Sequence, residues 1–258
     1  MRASGFLAGL FVLAVLGAAR AEEQPRQGRA FGPGEHVTYS VTYLGLTAGS
    51  ATVTVGAEMK QWGQNVWPLV TTARSESVAD VFPIREKFVS YWDERGQRTV
   101  GSDFFSDENH KKLRQRIRLD GGDKARVTKQ WEGQDEVEET RDVPAQVHDM
   151  ESVAFVLRNK DLQVGETYEA PVFTGSKTFV VKGTVEARQT LSTPLGDQEV
   201  YRVRVATEFS GGLASKRDML AYFSADERKV PVRVSAEFLI GNIVAEMTSY
   251  EPGRVVEP

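Results

Sequence analysis

The chain has 258 residues, 40% of them hydrophobic, and a formal net charge of −4, which is an ordinary globular composition. These values exclude a collagen-like, low-complexity or wholly disordered protein. The negative net charge provides no overall basic field, so nucleic acid is not an expected partner. The chain contains no cysteine, which excludes thiol catalysis, disulfide bonds and cysteine-ligated metal centres.

The N-terminal segment has the pattern of an export signal. Arg2 supplies a positive charge, an apolar run follows over residues 6–16, and Ala19 and Ala21 are small residues where signal peptidase reads the chain. An uncleaved anchor is the alternative, but the uncharged stretch is short for a span of roughly 20 residues. We therefore expect residues 1–21 to be removed. The sequence predicts a periplasmic or secreted protein with no transmembrane span in the mature chain.

Alternating apolar and polar residues dominate the rest of the chain. Residues 22–30 are polar and predict a disordered lead-in, and residues 252–258 a C-terminal tail. Between them, period-two alternation indicates strands with one buried and one solvated face, joined by Gly- and Asp-rich turns. The clearest alternating segments are 37–43, 51–55, 113–119, 201–205 and 230–236.

One segment has helical rather than strand spacing. Within residues 147–159, Met150, Val153 and Val156 recur at intervals of three. Asp149 is a plausible N-cap, although Ser152 is not the Glu or Gln of a full capping box. The predicted fold is mainly β: a large antiparallel curled sheet or partly open β-barrel, with one central helix that plugs its concavity. We expect a single β-rich domain over residues 31–251; two tandem halves meeting near residue 145 are the alternative.

Three blocks of the chain carry a family resemblance. They are Phe31 to Glu35 with Tyr39 and residues 46–49, then residues 149–165, and finally residues 221–241. In order and spacing these blocks resemble the bacterial exported family known as domain of unknown function 3108. The resemblance implies a periplasmic or envelope-associated all-β protein and brings no established activity. The residues that carry it, and that we interpret as structural, are Gly34, Glu35, Tyr39, Gly49, Asp149, Ser152, Arg158, Asp226 and Pro231.

No catalytic or metal-binding pattern is found. The histidines His36, His110 and His148 are far apart, and neither HExxH nor GxSxG occurs. Ser152 lies near His148 and Asp149, but Asp149 is better explained as a helix cap than as a catalytic acid. Arg158 has two candidate ion-pair partners, Asp149 and Asp226. We predict no catalytic residues, no metal site and no cofactor.

The most distinctive charged feature is a basic stripe formed by Lys112, Arg114, Arg116 and Arg118. At this spacing the four side chains lie on one face of a strand. One interpretation is a solvated outer face that pairs with acidic residues of a neighbouring strand, such as those at 132–139. The other is a ligand-binding surface that contacts lipid headgroups or an acidic glycan.

The leading hypothesis is an exported, noncatalytic module that binds a lipid, glycan or protein of the cell envelope. It rests on the export signal, a sheet suited to enclosing a ligand, and the lack of a catalytic constellation. A hydrolase with dispersed carboxylates is one alternative, and two acids about 5–9 Å apart in one cleft would favour it. A structural envelope protein that works by strand addition at an open sheet edge is the other.

Overall fold

The computed structural model describes residues 30–75, 83–108, 111–209, 219–237 and 242–254. The predicted signal segment, most of the lead-in, His110 and the last four residues of the tail lie outside these ranges. The described residues form strands β1 (His36–Tyr43), β2 (Leu46–Val55), β3 (Met59–Gln61), β4 (Gln64–Ser75), β5 (Ile84–Asp93), β6 (Arg98–Glu108), β7 (Lys111–Leu119), β8 (Lys124–Trp131), β9 (Val137–Asp142), β10 (Thr167–Phe173), β11 (Thr178–Thr193), β12 (Gly196–Phe209), β13 (Met219–Ser224), β14 (Pro231–Glu237) and β15 (Asn242–Glu251), with helix α1 (Ser152–Arg158) between β9 and β10.

The strands form one large antiparallel sheet, which confirms the predicted fold class. Its order is β10-β11-β12-β13-β14-β15-β1-β2-β4-β5-β6-β7-β8-β9, and β3 pairs with β4 beside this path. The pairing of β1 with β15 joins the strands that precede α1 to those that follow it. Both parts of the chain therefore contribute to one sheet. The domain boundaries given above remain a prediction.

The two ends of the sheet overlap instead of closing through paired edges. Phe173 at the end of β10 packs on Ile117 and Val127 of β7 and β8. Gln115 Nε2 also donates a hydrogen bond to the Thr174 carbonyl at 3.0 Å. β9 continues past this contact with all of its residues exposed. The sheet is therefore a partly open barrel, in which one edge tucks against the inner face of the other end.

Strand register fixes which side chains face the inside of the barrel. Val37 of β1 is paired with Val53 of β2, and the same row continues through Thr71, Phe88 and Phe104. Val53 packs against the core cluster that also contains a side chain of α1. The row therefore lies on the inner face, because successive strand residues alternate between faces.

Helix α1 lies inside the barrel, as predicted, but it is shorter than residues 147–159. On one side Phe155 packs with Trp67, Leu69 and Trp92 of β4 and β5. On the other side Leu157 packs against a cluster that includes Val203 of β12. One short helix thus contacts two distant parts of the sheet. Seven residues are too few for a stable isolated helix, so this packing stabilises it.

Before the helix, Asp149 and Ser152 form reciprocal hydrogen bonds of the capping-box kind, although Ser152 is not the Glu or Gln of a full capping box. The Asp149 carboxylate accepts hydrogen bonds from the amides of Glu151 at 3.1 Å and Ser152 at 2.7 Å. In return, Ser152 Oγ accepts the Asp149 amide at 3.1 Å. The serine takes the part usually played by Glu or Gln. Asp149 also accepts a hydrogen bond from Thr99 Oγ1 at 3.0 Å, which fastens the start of the helix to β6.

Ser152→Ala should destabilise the protein by about 1–2 kcal/mol, because it leaves the buried Asp149 amide without its acceptor. The free energy of unfolding in urea measures this. Met150→Ala is the control: its side chain is 47% exposed, and the change should be within about 0.5 kcal/mol of zero. An unchanged stability of Ser152→Ala would show that the serine contributes nothing to the cap.

Candidate functional site

The inner face of the barrel changes from buried to half-buried with distance from α1. On β4, Leu69 contacts the helix cluster and is fully buried, whereas Thr71 and Ala73 farther along are half-buried. On β2, Val55 is buried and Ala51 is half-buried in the same way. The same change occurs from Val203 to Val205 on β12, Ala221 to Met219 on β13, Val232 to Val234 on β14 and Met247 to Ala245 on β15.

The gradient indicates that the inner face beyond α1 is partly accessible to solvent, and this region of the barrel is called here the lumen. Its walls are apolar and many of its side chains are small; Ala51 and Ala73, for example, are paired across β2 and β4. Phe88 and Phe104 lie on the same face with ring centroids 6.0 Å apart. Strand alternation predicts which residues face inward, but it does not show how far α1 fills the space.

Two carboxyl groups of the lumen bind protons more strongly than ordinary carboxyls do. Glu151, at the start of α1, has its pKa raised to about 7, mainly by burial, with a smaller effect of the Asp149 charge. On β5 the pKa of Glu86 is also raised to about 7, by burial and by a hydrogen bond with Glu108. Both groups are therefore partly protonated at neutral pH.

A buried ion pair closes the end of the barrel that α1 occupies. Arg158 and Glu35 are each only 1% exposed. Arg158 Nη1 and Nη2 donate to the two carboxylate oxygens of Glu35, at 2.6 and 2.8 Å. The guanidinium also donates to the carbonyls of Ala30 and Arg228, each at 3.0 Å. Arg158 therefore pairs with neither Asp149 nor Asp226, the two partners considered from sequence.

Aromatic rings complete the surroundings of this ion pair. The Arg158 guanidinium lies 5.2 Å from the ring centroids of both Phe31 and Phe155, within the range of cation–π attraction. Asp226 acts indirectly. Its carboxylate accepts the amides of Arg228 and Lys229, both at 3.1 Å, and so shapes the turn that presents the Arg228 carbonyl to Arg158.

The remaining motif residues have structural positions around this end. Tyr39 donates its hydroxyl to the carbonyl of Pro231 at 2.8 Å, and Pro231 is the first residue of β14. Gly34 adopts a positive φ of 90° in the turn before β1. A Cβ at Gly49 would lie 2.2 Å from the Arg74 carbonyl, so the close approach of β2 and β4 requires glycine there.

The basic stripe lies on the outer face of β7, where three of its four cations already have partners. Lys112 pairs with Glu132 at 2.6 Å, Arg116 with Asp103 at 2.8 Å and Arg118 with Asp120 at 3.3 Å. In the part of the chain that is described, Arg114 has no ion-pair partner. Of the acidic residues at 132–139, Glu132 forms an ion pair with the stripe, and the Glu136 charge contributes to raising the pKa of Arg116. A ligand-binding role for these four residues remains a prediction.

The histidines have separate surroundings. His36 Nδ1 is 2.7 Å from Thr54 Oγ1 on the neighbouring strand. His148 stacks near Trp92 with centroids 6.4 Å apart, and burial lowers the pKa of its imidazole. Among the described residues, no group of three His, Asp or Glu side chains is placed to hold a metal ion. Nor does any helix within those ranges have the length and apolar character needed to cross a bilayer.

Sequence reasoning did not find the Arg158–Glu35 pair or the role of Glu151. The two members of the pair are 123 positions apart, and no local spacing connects them. An arginine on the predicted helix and a glutamate in the Pro-Gly-Glu block were the only signals. For Glu151, its place beside a helix that enters the barrel determines the shifted pKa, and a single sequence does not specify that place.

Arg158→Met should reduce the free energy of unfolding by about 3–5 kcal/mol, since it leaves the Glu35 charge buried and unpaired. The double variant Glu35→Gln with Arg158→Met should recover part of this loss, because neither charge then remains. Urea denaturation of these two variants and of Glu35→Gln alone completes the cycle and measures the coupling. Glu132→Gln, which breaks an exposed pair, is the control and should cost less than about 1 kcal/mol. Fully additive costs at Glu35 and Arg158 would contradict this account.

The raised pKa of Glu151 predicts that stability falls as pH rises. In the unfolded chain this carboxyl titrates near its model value of 4.5, whereas in the folded chain it titrates near 7. The folded state therefore binds more protons between these values. The contribution of this proton binding to the free energy of unfolding is lost as pH rises through about 7. Unfolding measured from about pH 5 to about pH 8 should show a loss on the order of 2–3 kcal/mol from this group.

Glu151→Gln should remove this part of the pH dependence, and Glu86→Gln should remove a second part for the same reason. Glu132→Gln, at an exposed site, should leave the slope of the free energy of unfolding against pH unchanged. A Glu151→Gln protein with the slope of the parent chain would show that this carboxyl is ionised throughout the range.

One of the solved structures similar to this chain supports the architecture. Among solved structures, a β-barrel-like protein of domain of unknown function DUF1849 from Brucella abortus is similar with a TM-score of 0.58 and 10% identity, covering 87% of this chain and 99% of that one. At this identity the likeness shows the fold alone. A hypothetical protein from Chlamydia trachomatis has a TM-score of 0.37 at 9% identity, over 88% of this chain and 93% of its own.

No curated protein matches the chain. The model of a protein family of unknown function, DUF3108, matches residues 38–248. This match runs from β1 to β15 and includes α1, the lumen and Arg158. It agrees with the resemblance carried by Tyr39, the helix segment and the late strands, whereas the Pro-Gly-Glu entry lies just before the matched residues. The chain therefore belongs to the DUF3108 family.

Proposed function

We propose that the protein is an exported, noncatalytic envelope module that binds a lipid-like apolar molecule in the lumen. The burial gradient is the observation that supports this most strongly. Six strands, β2, β4 and β12 to β15, keep apolar side chains half-buried on the inner face, although a folded chain gains free energy by burying such groups fully. A ligand with an apolar chain would cover them. The predicted signal segment and the family resemblance support export and a periplasmic location.

The charges around the lumen favour a ligand whose polar end is neutral or cationic. Glu86 and Glu151 are acids, and an anionic headgroup would be repelled by their ionised forms. The Arg158 guanidinium does not offset them, because it is already bound to Glu35 and to two carbonyls. A neutral lipid or an amine-bearing amphiphile therefore fits better than a free fatty acid.

A bulky side chain in the lumen should weaken the binding of a neutral apolar probe, the dye N-phenyl-1-naphthylamine. Ala73→Trp places an indole on the inner face of β4 and should weaken dye affinity by about tenfold or more. Thr72→Trp is the matched control, because the neighbouring residue points to the outer face and should leave affinity unchanged. Fluorescence titration measures both. Equal affinities of the two variants would place the dye outside the lumen and contradict the proposal.

A hydrolase is the second candidate, favoured by the two lumen carboxyls whose pKa values lie near 7. A partly protonated acid is suited to general acid–base catalysis at neutral pH. Hydrolysis of p-nitrophenyl esters of several chain lengths tests this class. Turnover that Glu151→Gln or Glu86→Gln removes, with folding and dye binding retained, would support the enzyme. Turnover that is absent, or equal in these variants, would oppose it.

Strand addition is less well supported than either of these. The exposed edge strand β9 contains Glu138, Glu139, Arg141 and Asp142 among its residues. Charges along an edge strand are a common means of preventing another strand from pairing there. This edge therefore has the composition of a protected edge.

A further inference from the structure

We propose that the tip of the β1–β2 hairpin docks the protein on an anionic lipid surface. The end of the barrel opposite α1 would then face the bilayer. Leu44 and Leu46 form this tip and are 57% and 67% exposed. The hairpin is at the end of the barrel opposite α1, where the inner face is half-buried. The proposal rests on the rim residues and does not depend on what the lumen binds.

The conformation of Leu44 is unfavourable for leucine. Tyr43 and Leu46 are paired, so Leu44 and Gly45 form a two-residue turn, with φ values of +53° and +78°. Such turns favour Asn, Asp or Gly at the first position, because a bulky side chain is strained at positive φ. Trp62 has a similar φ of +47°, but its ring packs against Tyr91 with centroids 5.2 Å apart.

Leu44 has no comparable packing, since more than half of it is exposed. Leucine at this position is therefore unfavourable for two reasons. The positive φ strains its side chain, and its exposure leaves apolar surface in water. Residues held in unfavourable conformations are concentrated at functional sites. An apolar surface that covers the tip would account for this choice of residue, as would be expected for side chains that enter the interface of a bilayer.

Unpaired cations lie below the tip on the outer face. Strand register aligns Ser50 with Arg74 and Arg74 with Arg85 in one row across β2, β4 and β5. Along β2, Ser50 is four residues from Leu46, so the row lies about 13 Å from the tip. The next row aligns Lys87 with Phe105 and Phe105 with Arg114. Arg74, Arg85, Lys87 and Arg114 are exposed, and none has an ion-pair partner among the described residues.

Among the described residues of these two rows, the cations surround one carboxylate, that of Asp107. Asp107 is the register partner of both Arg85 and Lys112, and Lys112 is itself paired with Glu132. Within the described ranges, these four cations without an ion-pair partner lie around that carboxylate, and the surface is complementary to anionic headgroups. An apolar tip with cations set back from it matches the depth profile of a lipid interface, with the leucines in the acyl boundary and the cations among the headgroups.

Flotation with lipid vesicles tests the apolar part. The protein, purified without detergent, should bind vesicles of phosphatidylcholine with about 30% phosphatidylglycerol and should bind pure phosphatidylcholine more weakly. Leu44→Ser with Leu46→Ser should lower the partition coefficient by about tenfold or more. Leu195→Ser is the matched control: this leucine is 47% exposed at the β11–β12 turn, away from the proposed tip, and binding should not change.

The charged part is tested with Arg74→Glu and Arg85→Glu together, which should reduce binding to the anionic vesicles by about tenfold or more. Arg95→Glu with Lys160→Glu makes the same change of charge at the α1 end of the barrel and should have a much smaller effect. Wild-type protein that does not float, or a serine double variant that floats like wild type, would overturn the proposal. Dye binding without vesicles is measured on every variant, so that loss of the lumen site is distinguished from loss of docking.

Discussion

The buried contact between Arg158 and Glu35 determines how the rest of the molecule is arranged. Its two charges are removed from water, and their pairing and the carbonyls of Ala30 and Arg228 are the main compensation for that removal. The arginine belongs to α1, the glutamate precedes β1, and one carbonyl belongs to the turn before β14. Helix, first strand and late strands are therefore fixed to one another at a single point.

This fixed point gives the barrel two unlike ends. At the α1 end, Phe155 and Leu157 fill the interior and the inner face is fully buried. Beyond the helix, the same strands continue with apolar side chains that are only half-buried in the part of the chain that the structure describes. Seven helical residues are long enough to plug one end of the barrel and too short to fill it. The lumen is thus a consequence of helix length and of the ion pair that holds the helix in place.

Most of the architecture could be predicted from sequence because alternation is a local property. The side chains of β1, β2 and β7 face the sides that period-two spacing predicts, and the stripe at residues 112–118 lies outward as expected. The helix was also recognisable, although its packing within the barrel limits it to seven residues. Even the reciprocal hydrogen bonds before the helix involve only Asp149 and Ser152, although serine is an uncommon residue for that role.

The site was much less predictable, because it depends on contacts between distant parts of the chain. Whether Glu151 is exposed or buried depends on where α1 enters the barrel. Whether Ala73 lies against a neighbour or beside open space depends on how far the helix reaches. The sequence offered two candidate ion-pair partners for Arg158, Asp149 and Asp226. The partner in the structure is Glu35, which lies 123 positions earlier in the chain. Such contacts follow from the curling of the sheet around α1, which a single sequence does not encode in any local pattern.

Native mass spectrometry of protein purified without detergent from its own cells tests the central claim most directly, when followed by organic extraction of the same sample. The account predicts a reproducible added mass that extracts as a neutral or amine-bearing lipid. It also predicts that Ala73→Trp loses this mass and that Thr72→Trp retains it. A wild-type protein that carries no added mass, or a mass that Ala73→Trp retains, would contradict the claim that the lumen is a binding site.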